Sequence, residues 1–583
     1  MMRLGVAAGL LACLGGLPAG AEPVDGAPAR GLIVRLKQPV AHERLQPSSA
    51  GRRADEAAAE REAGRWQRVL GEAGLSGSSG RLAPRLRPVG RDQQLMEFER
   101  PLSRSETALL RDKLLARPDV EWVEPNLRER RLQAAPNDPL FLQQWWLQPA
   151  SGSNGNAIGA RLRGVAGFQS AWLRASQAPA VVAVLDTGIT SHPDLDGRAL
   201  PGYDFVSVLE YANDGDGRDA SPDDPGDYVG ANDLASSLFA GCTAEDSSWH
   251  GTIVSGMVAA HTGNGLGVAG IHPTASILPV RVAGKCGAEV PDIIDGMRWA
   301  AGLKVSGVPL NPNPARVVNI SFGGSAACGP AYQTAVDELR AIGVVVVAAA
   351  GNDWSTPTRP ASCAGVVGVA GLNRDGFKTN YSNFGSALAD SGIAAVAGDD
   401  ADGAWGSVLA DSGLVTVTNL GRNLPGLPGY ARLYGTSFAA PQVAGTIALM
   451  LGVNPALSYE QILRGLRLSA RPHVTSPKIA ACSAANPGRC ICSTTSCGAG
   501  ILDAEQALLF AAMPDSYVPP VRLPEVIDNA DVDAALALAP QDRGAVQVAD
   551  AGDSGGGAFG GFWLLALAAA AITLPLVRPL PRH

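Results

Sequence analysis

The chain has 583 residues, too many for one ordinary domain. Its 46% hydrophobic and 17% charged residues are the balance of a globular protein, not of a disordered one. A net charge of −8 argues against nucleic acid as a partner, because a polyanion is held by surplus Lys and Arg.

Residues 1–21 read as an export signal: Arg3, an apolar run Leu4–Leu17, then Ala19-Gly20-Ala21 as the cleavage site. A lipoprotein signal ending at Leu10-Leu11-Ala12-Cys13 is the competing reading, although the apolar run continues past Cys13. Next, Gly31–Lys37 alternates as a strand, residues 54–73 are a helix rich in Ala, Glu and Arg, and Leu82–Val89 and Gln93–Glu99 are two strands. Ser103 opens a helix to Ala116, and Val120–Val123 is a last short strand. The order βαββαβ is the ferredoxin-like pattern. Residues 22–135 carry 21 Lys and Arg against 17 Asp and Glu, whereas the remainder is acidic, so the two parts could attract each other.

From residue 136 to 512 apolar strands alternate with helical stretches. Strands are predicted at 181–185, 277–282, 316–322, 344–349 and 366–370, and helices at 250–261, 291–303, 330–342 and 437–451. This alternation predicts an α/β body with a parallel sheet covered on both faces, and chemistry gathered at the carboxyl ends of strands. Residues 204–233 form a loop crowded with carboxylates, among them Asp214, Asp216, Asp219, Asp224 and Asp227. Such a loop repels itself unless a hard cation collects it, and calcium with oxygen ligands is the expected structural cofactor. A solvated loop without an ion is the alternative, and Arg218 breaks the EF-hand spacing. Of nine cysteines, eight follow the signal, an even number that suits an oxidising compartment. Clustering suggests Cys242–Cys286, Cys328–Cys363, Cys482–Cys490 and Cys492–Cys497. Zinc is the rival for 482–497, but the cluster has neither paired C-x-x-C spacing nor a histidine.

Four local contexts in the body carry chemistry. Asp186-Thr187-Gly188 closes the strand Val181–Leu185, and His250-Gly251-Thr252 opens a helix. Ala350-Gly351-Asn352 follows a strand, and Gly435-Thr436-Ser437 leads from loop into helix, where Pro441 is tolerated in the first turn. A hydroxyl there sits near unpaired N–H groups and the positive end of the helix dipole, but is a poor nucleophile without a base and a group to orient that base. Alone, each residue has a plainer reading: His250 as a structural histidine, Asp186 and Asn352 as turn residues, Ser437 as an N-cap.

Together, the blocks Val184-Leu185-Asp186-Thr187-Gly188, His250-Gly251-Thr252-Ile253-Val254-Ser255-Gly256 and Gly435-Thr436-Ser437-Phe438-Ala439-Ala440-Pro441 resemble the subtilisin-like serine proteases in content and order. The resemblance covers roughly 136–512; Phe438, Gln442 and Ser255 stand where methionine, histidine and alanine are more usual. It implies a serine endopeptidase acting on polypeptides, with Ser437 as nucleophile, His250 as base, Asp186 orienting it, and Asn352 donating to the oxyanion. Ser321-Phe322-Gly323 is similar to the family's segment that pairs with extended substrate. The family pattern supports the first two disulfides, and Asn264–Gly270 resembles a family loop that wraps calcium. A small domain ahead of such a body resembles the family's inhibitory propeptide, a folding template and intramolecular inhibitor, released by a cut between Leu132 and Pro136.

Past Met513 periodicity stops, and 513–557 reads as a linker. Ser554-Gly555-Gly556-Gly557 precedes 558–577, an uncharged run long enough to span a bilayer, followed by the basic tip 578–583 with Arg578 and Arg582. This arrangement resembles a bacterial Gly-Gly C-terminal sorting tail; a plain membrane anchor is the alternative. The chain is thus expected to be exported as a monomeric zymogen to the cell surface or beyond.

Overall fold

The computed structural model describes residues 29–37, 61, 63–75, 84–89, 93–102, 104–126, 135–152, 161–399, 411 and 413–527. The expected signal, residues 132–134 of the expected cleavage site between Leu132 and Pro136, and the apolar run 558–577 lie outside the described residues. The chain divides into two units, Met1–Gln133 and Ala134–His583.

In the first unit the strands Ala29–Leu36, Arg85–Val89, Gln93–Leu102 and Val120–Pro125 form an antiparallel sheet. Taken in chain order, the strands lie second, third, first, fourth across it. Alternation puts Leu32, Val34 and Leu36 on one face, against Met96, Leu102 and Val120. Residues 63–72 and Arg104–Leu115 are helical. The second helix turns Leu110 and Leu114, four residues apart, into the same core as Trp66 and Val69 of the first.

The second unit is built on a seven-stranded, wholly parallel sheet. Across it run Ile393–Val396, Val367–Leu372, Val345–Ala349, Val317–Ile320, Val181–Asp186, Ser276–Arg281 and Tyr203–Asp204. Its strands are apolar without alternation because both faces are covered, and successive residues serve different layers. Val182, Val184, Val345 and Val347 belong to a core shared with helices His250–Ala259 and Ala440–Val453. Ala183, Leu185, Val346 and Ala348 belong to another, shared with helices Val290–Ala300 and Pro330–Ala341. Each buried Val or Leu among them contributes roughly 1.5–3 kcal/mol, and each Ala less. Among the described residues, Thr436–Val453 is the one stretch long and apolar enough to cross a membrane, and it is 83% buried as a core helix.

The structure adds elements absent from the sequence reading: strands Tyr203–Asp204 and Ile393–Val396, a hairpin of Leu414–Asn419 with Pro428–Leu433, and helices Tyr459–Ser469 and Ala504–Ala512. The helix expected from 437 begins later, at Ala440; Ser437 lies in a tight 3₁₀ turn, Thr436–Phe438, after Gly435 at φ +145°. Part of the stretch read as linker is tied to the body. Thr475 donates its N–H to the Glu525 carbonyl, Ile527 donates to Thr475, and Ile527 is buried. Four disulfides close, Cys242–Cys286, Cys328–Cys363, Cys482–Cys490 and Cys492–Cys497.

Candidate active site

Asp186 ends a central strand, at its carboxyl edge, and is 1% exposed. The Thr187 N–H donates to its Oδ1 at 2.9 Å. His250 Nδ1 lies 2.8 Å from Asp186 Oδ1 and 2.9 Å from Oδ2, so the carboxylate faces the ring nitrogen squarely. His250 is itself buried and heads its helix. Helix and strand end approach this closely because Gly251 has no side chain: a Cβ there would fall 2.1 Å from the Gly188 carbonyl oxygen.

Burial alone would push the His250 imidazolium to lower pKa. The Asp186 carboxylate, by charge and by hydrogen bond, outweighs this, helped by Asp227 and Asp224, and the net direction is up. The ring therefore holds a proton more readily than a free histidine, while Asp186 fixes Nδ1 as the protonated nitrogen of the neutral form.

Ser437 and Ser321 are interlocked. Ser437 Oγ donates to the Ser321 carbonyl at 2.7 Å, and Ser321 Oγ donates to the Ser437 carbonyl at 2.8 Å. The ring of Phe438, the last residue of the serine turn, sits 5.8 Å from the His250 ring. Asn352 follows the strand Val345–Ala349, and its Oδ1 accepts both the N–H and the hydroxyl of Thr436, at 3.0 and 2.9 Å. With the oxygen so engaged, the NH₂ is the end of the amide that can donate elsewhere. Thr436 also accepts the Gly351 N–H at 3.1 Å, so one buried hydroxyl orients the asparagine and the backbone before it.

Phe322 and Gly323 line a cavity of about 330 Å³ that reaches Asp186 and Thr187 and is walled by Tyr211, Leu238, Val290, Tyr332 and the Cys242–Cys286 disulfide. Lys285 lines it too, with Nζ 3.0 Å from Asp233 and above the Tyr228 ring.

The five aspartates weighed for calcium do not converge. Asp214 and the buried Asp204 both accept from Arg281, while Arg218 is turned to Asp292 and Asp295. Asp216 and Asp219 remain near one another at the surface, and repulsion from Asp219 chiefly raises the Asp216 pKa. Asp224 accepts from Thr187 Oγ1 at 2.6 Å, and Asp227 from the N–H and hydroxyl of Ser248. Burial, then the charge of Asp227, raises Asp224 to about 7. Among the described residues no three of these carboxylates meet closely enough to share an ion. The grouping of three potential ligands that does occur is Cys482, Cys492 and Cys497, whose sulfurs are in disulfides. In the glycine loop, Asp138 accepts the Gly263 N–H, while Asp194 accepts from Asn264 Nδ2 and the Val268 N–H.

Sequence reasoning missed Thr436, Thr187 and Ser248. Thr187 accepts the Gly251 N–H and donates to Asp224, and Ser248 joins Asp227 to the His250 N–H. The available signal was adjacency: each lies within two residues of a candidate catalytic group.

Comparison with known proteins gives one consistent answer. The "Subtilase family" pattern matches residues 178–488. An "Extracellular protease" of Xanthomonas campestris pv. campestris is 39% identical over 421 residues, 72% of this chain and 64% of that protein. An "Extracellular basic protease" of Dichelobacter nodosus is 38% identical over 348 residues, 59% of this chain and 53% of that one. The chain thus spans less than two thirds of the length of either relative. A solved protease of Pseudoalteromonas arctica matches at 41% identity and TM-score 0.55, covering 65% of this chain and all of that one. The α/β body is a subtilisin-like fold.

Proposed function

The chain belongs to the subtilase family, and from that premise we propose that it is an exported serine endopeptidase working through Ser437, His250 and Asp186. The observation that carries the reading is the buried His250–Asp186 pair, with Nδ1 within 2.9 Å of both carboxylate oxygens. His250 takes the Ser437 proton as the oxygen attacks a peptide carbonyl, and Asp186 stabilises the imidazolium that forms. The Ser437 N–H and the Asn352 amide receive the oxyanion. His250 then protonates the leaving amine, and water resolves the acyl-enzyme. Ser321-Phe322-Gly323 pairs with extended substrate, and the cavity beside Phe322 takes a side chain of it.

Labelling the mature enzyme with a fluorophosphonate and mapping the labelled peptide tests this reading. The label belongs on Ser437; a folded protein that stays unlabelled, or a Ser437→Ala variant that still cleaves casein, ends it.

Residues 22–135 act as a propeptide, supported by their compact sheet preceding the matched region. N-terminal sequencing of secreted enzyme tests it, and a start at Glu22 refutes it. The tail 558–577 is a sorting or anchor segment; a mature C-terminal peptide ending at His583 excludes sorting. A structural calcium, which the family implies, fits Asp138, Asp194 and Asn264 better than the acidic loop. There two carboxylates are buried, and the Asp138 pKa is raised by burial first, against N–H donors, and then by the charge of Asp194. A cation held by these oxygens would relieve that repulsion and fix the glycine loop.

A further inference from the structure

The hairpin Leu414–Leu433 touches both halves of the proposed machinery. Its strands pair in unbroken register, Leu414 with Leu433 through Asn419 with Pro428. The second strand runs directly into Tyr434-Gly435 and the turn that holds Ser437. The first strand lies on the His250 helix, so closely that a Cβ on Gly256 would fall 2.1 Å from Val417 Cγ2.

The hairpin tip reaches the other end of that helix. Asn419 Oδ1 accepts the N–H groups of Gly421 and Gly426, at 2.8 and 2.7 Å, and so closes the tip. Closure turns three successive carbonyls toward the segment ahead of His250. Gly421 O accepts Trp249 Nε1 at 2.7 Å, Arg422 O accepts the Ser247 N–H at 2.8 Å, and Asn423 O accepts Ser247 Oγ at 2.5 Å. The pair of Arg422 with Asp246 is exposed and adds little.

Trp249 itself is 2% exposed and stands at φ +54°, ψ +27°, a left-handed conformation that bulky residues rarely adopt. Such a conformation persists only where its surroundings over-determine it. Here it directly precedes His250, so it sets the direction in which the helix begins and the imidazole leaves the backbone.

We propose that Trp249, pinned by the closed tip of this hairpin, is a positioning residue for His250, and that the hairpin acts as a strut fixing the approach of the imidazole to Ser437. This rests on the serine endopeptidase reading. The indole N–H holds the left-handed turn, and the turn holds the ring. Since strut and serine turn are one continuous segment, a displacement of the tip changes the geometry between the two reacting groups and leaves the substrate cavity alone.

The test uses the full chain, secreted and matured, with Trp249→Phe and Asn419→Ala. The first keeps an aromatic ring but removes the N–H donor; the second opens the tip without removing an atom from residues 246–250. Four quantities are read: kcat and KM on a chromogenic peptide, the rate of phosphonylation by a fluorophosphonate, and the thermal midpoint. In Trp249→Phe, kcat and phosphonylation should each fall about tenfold, with KM within about twofold and the midpoint nearly unchanged, since small misplacements of reacting groups cost rate steeply. A folded Trp249→Phe enzyme phosphonylated at the wild-type rate overturns the inference. So does a loss of rate that merely tracks a falling midpoint. If Trp249→Phe does not fold, Asn419→Ala decides in the same way. Wild-type enzyme unlabelled at Ser437 would instead refute the underlying reading, and the strut with it.

Discussion

Ser437 and Ser321 exchange hydrogen bonds, each hydroxyl donating to the main-chain carbonyl of the other at 2.7 and 2.8 Å. The hydroxyl proton of Ser437 is thus held by backbone, and the turn carrying it is tied to the end of strand Val317–Ile320. Ser321 Oγ also accepts from buried Asn319 Nδ2 at 2.9 Å. Ser321→Ala should therefore leave one buried donor without its acceptor and cost about 1–3 kcal/mol of stability. Denaturant unfolding measures it, with an unchanged m-value as the sign that folding is otherwise intact.

Thr436→Val removes the hydroxyl that orients Asn352 and leaves its size in place. The Asn352 amide then loses one of the two bonds fixing its oxygen, and the Gly351 N–H loses its acceptor. Turnover should fall by about tenfold with KM little changed, less than the 10²–10³ associated with removing the oxyanion donor itself. Steady-state kinetics beside Asn352→Ala check the order of the two effects.

The pH profile follows from His250. Its folded pKa is raised above the ordinary 6.5, by Asp186 chiefly, against the opposing effect of burial. In the proposed mechanism His250 must be neutral to act as base, so kcat/KM should rise with pH along a limb centred above 6.5. The charged pair stabilises the fold at pH below the unfolded value and loses that contribution as pH rises through the folded one, so this part of stability fades where activity appears. In Asp186→Asn burial is left to dominate. The limb should move to lower pH while kcat drops by about 10⁴.

Cys242–Cys286 closes a 44-residue separation and forms one wall of the cavity beside Phe322. Replacing both cysteines with serine should cost about 4 kcal/mol on chain-entropy grounds. If that cavity takes a substrate side chain as proposed, the loss should also raise KM more than it lowers kcat. Calorimetry and kinetics on the same preparation separate the two.

How much of this was legible in the sequence depended on range. Val181–Asp186 and Val345–Ala349 announced themselves as apolar runs, and Asp186, His250 and Asn352 could be placed because each adjoins such an element. The helix Tyr459–Ser469 carries a readable start, since Ser458 and Gln461 cap it reciprocally. The hairpin was hidden by the Gly- and Pro-rich tip between its strands. The acidic loop was misleading for a different reason. Part of its countercharge comes from Arg281, which ends a strand far along the chain and answers Asp204 and Asp214 only once the sheet has formed. Likewise nothing in the residue order marks Trp249 as left-handed, because that conformation is imposed from residues 421–423.

Gly251 has an effect on how such a protein can change over generations. Where the backbone of the histidine helix rests directly on the Gly188 carbonyl, there is no side-chain layer whose gradual repacking could drift the imidazole from its carboxylate. Mutations elsewhere in the core would erode melting temperature long before they altered that spacing. The imidazole and its carboxylate are thus held as one rigid piece, and variation is left to arise in how that piece as a whole meets the Ser437 turn.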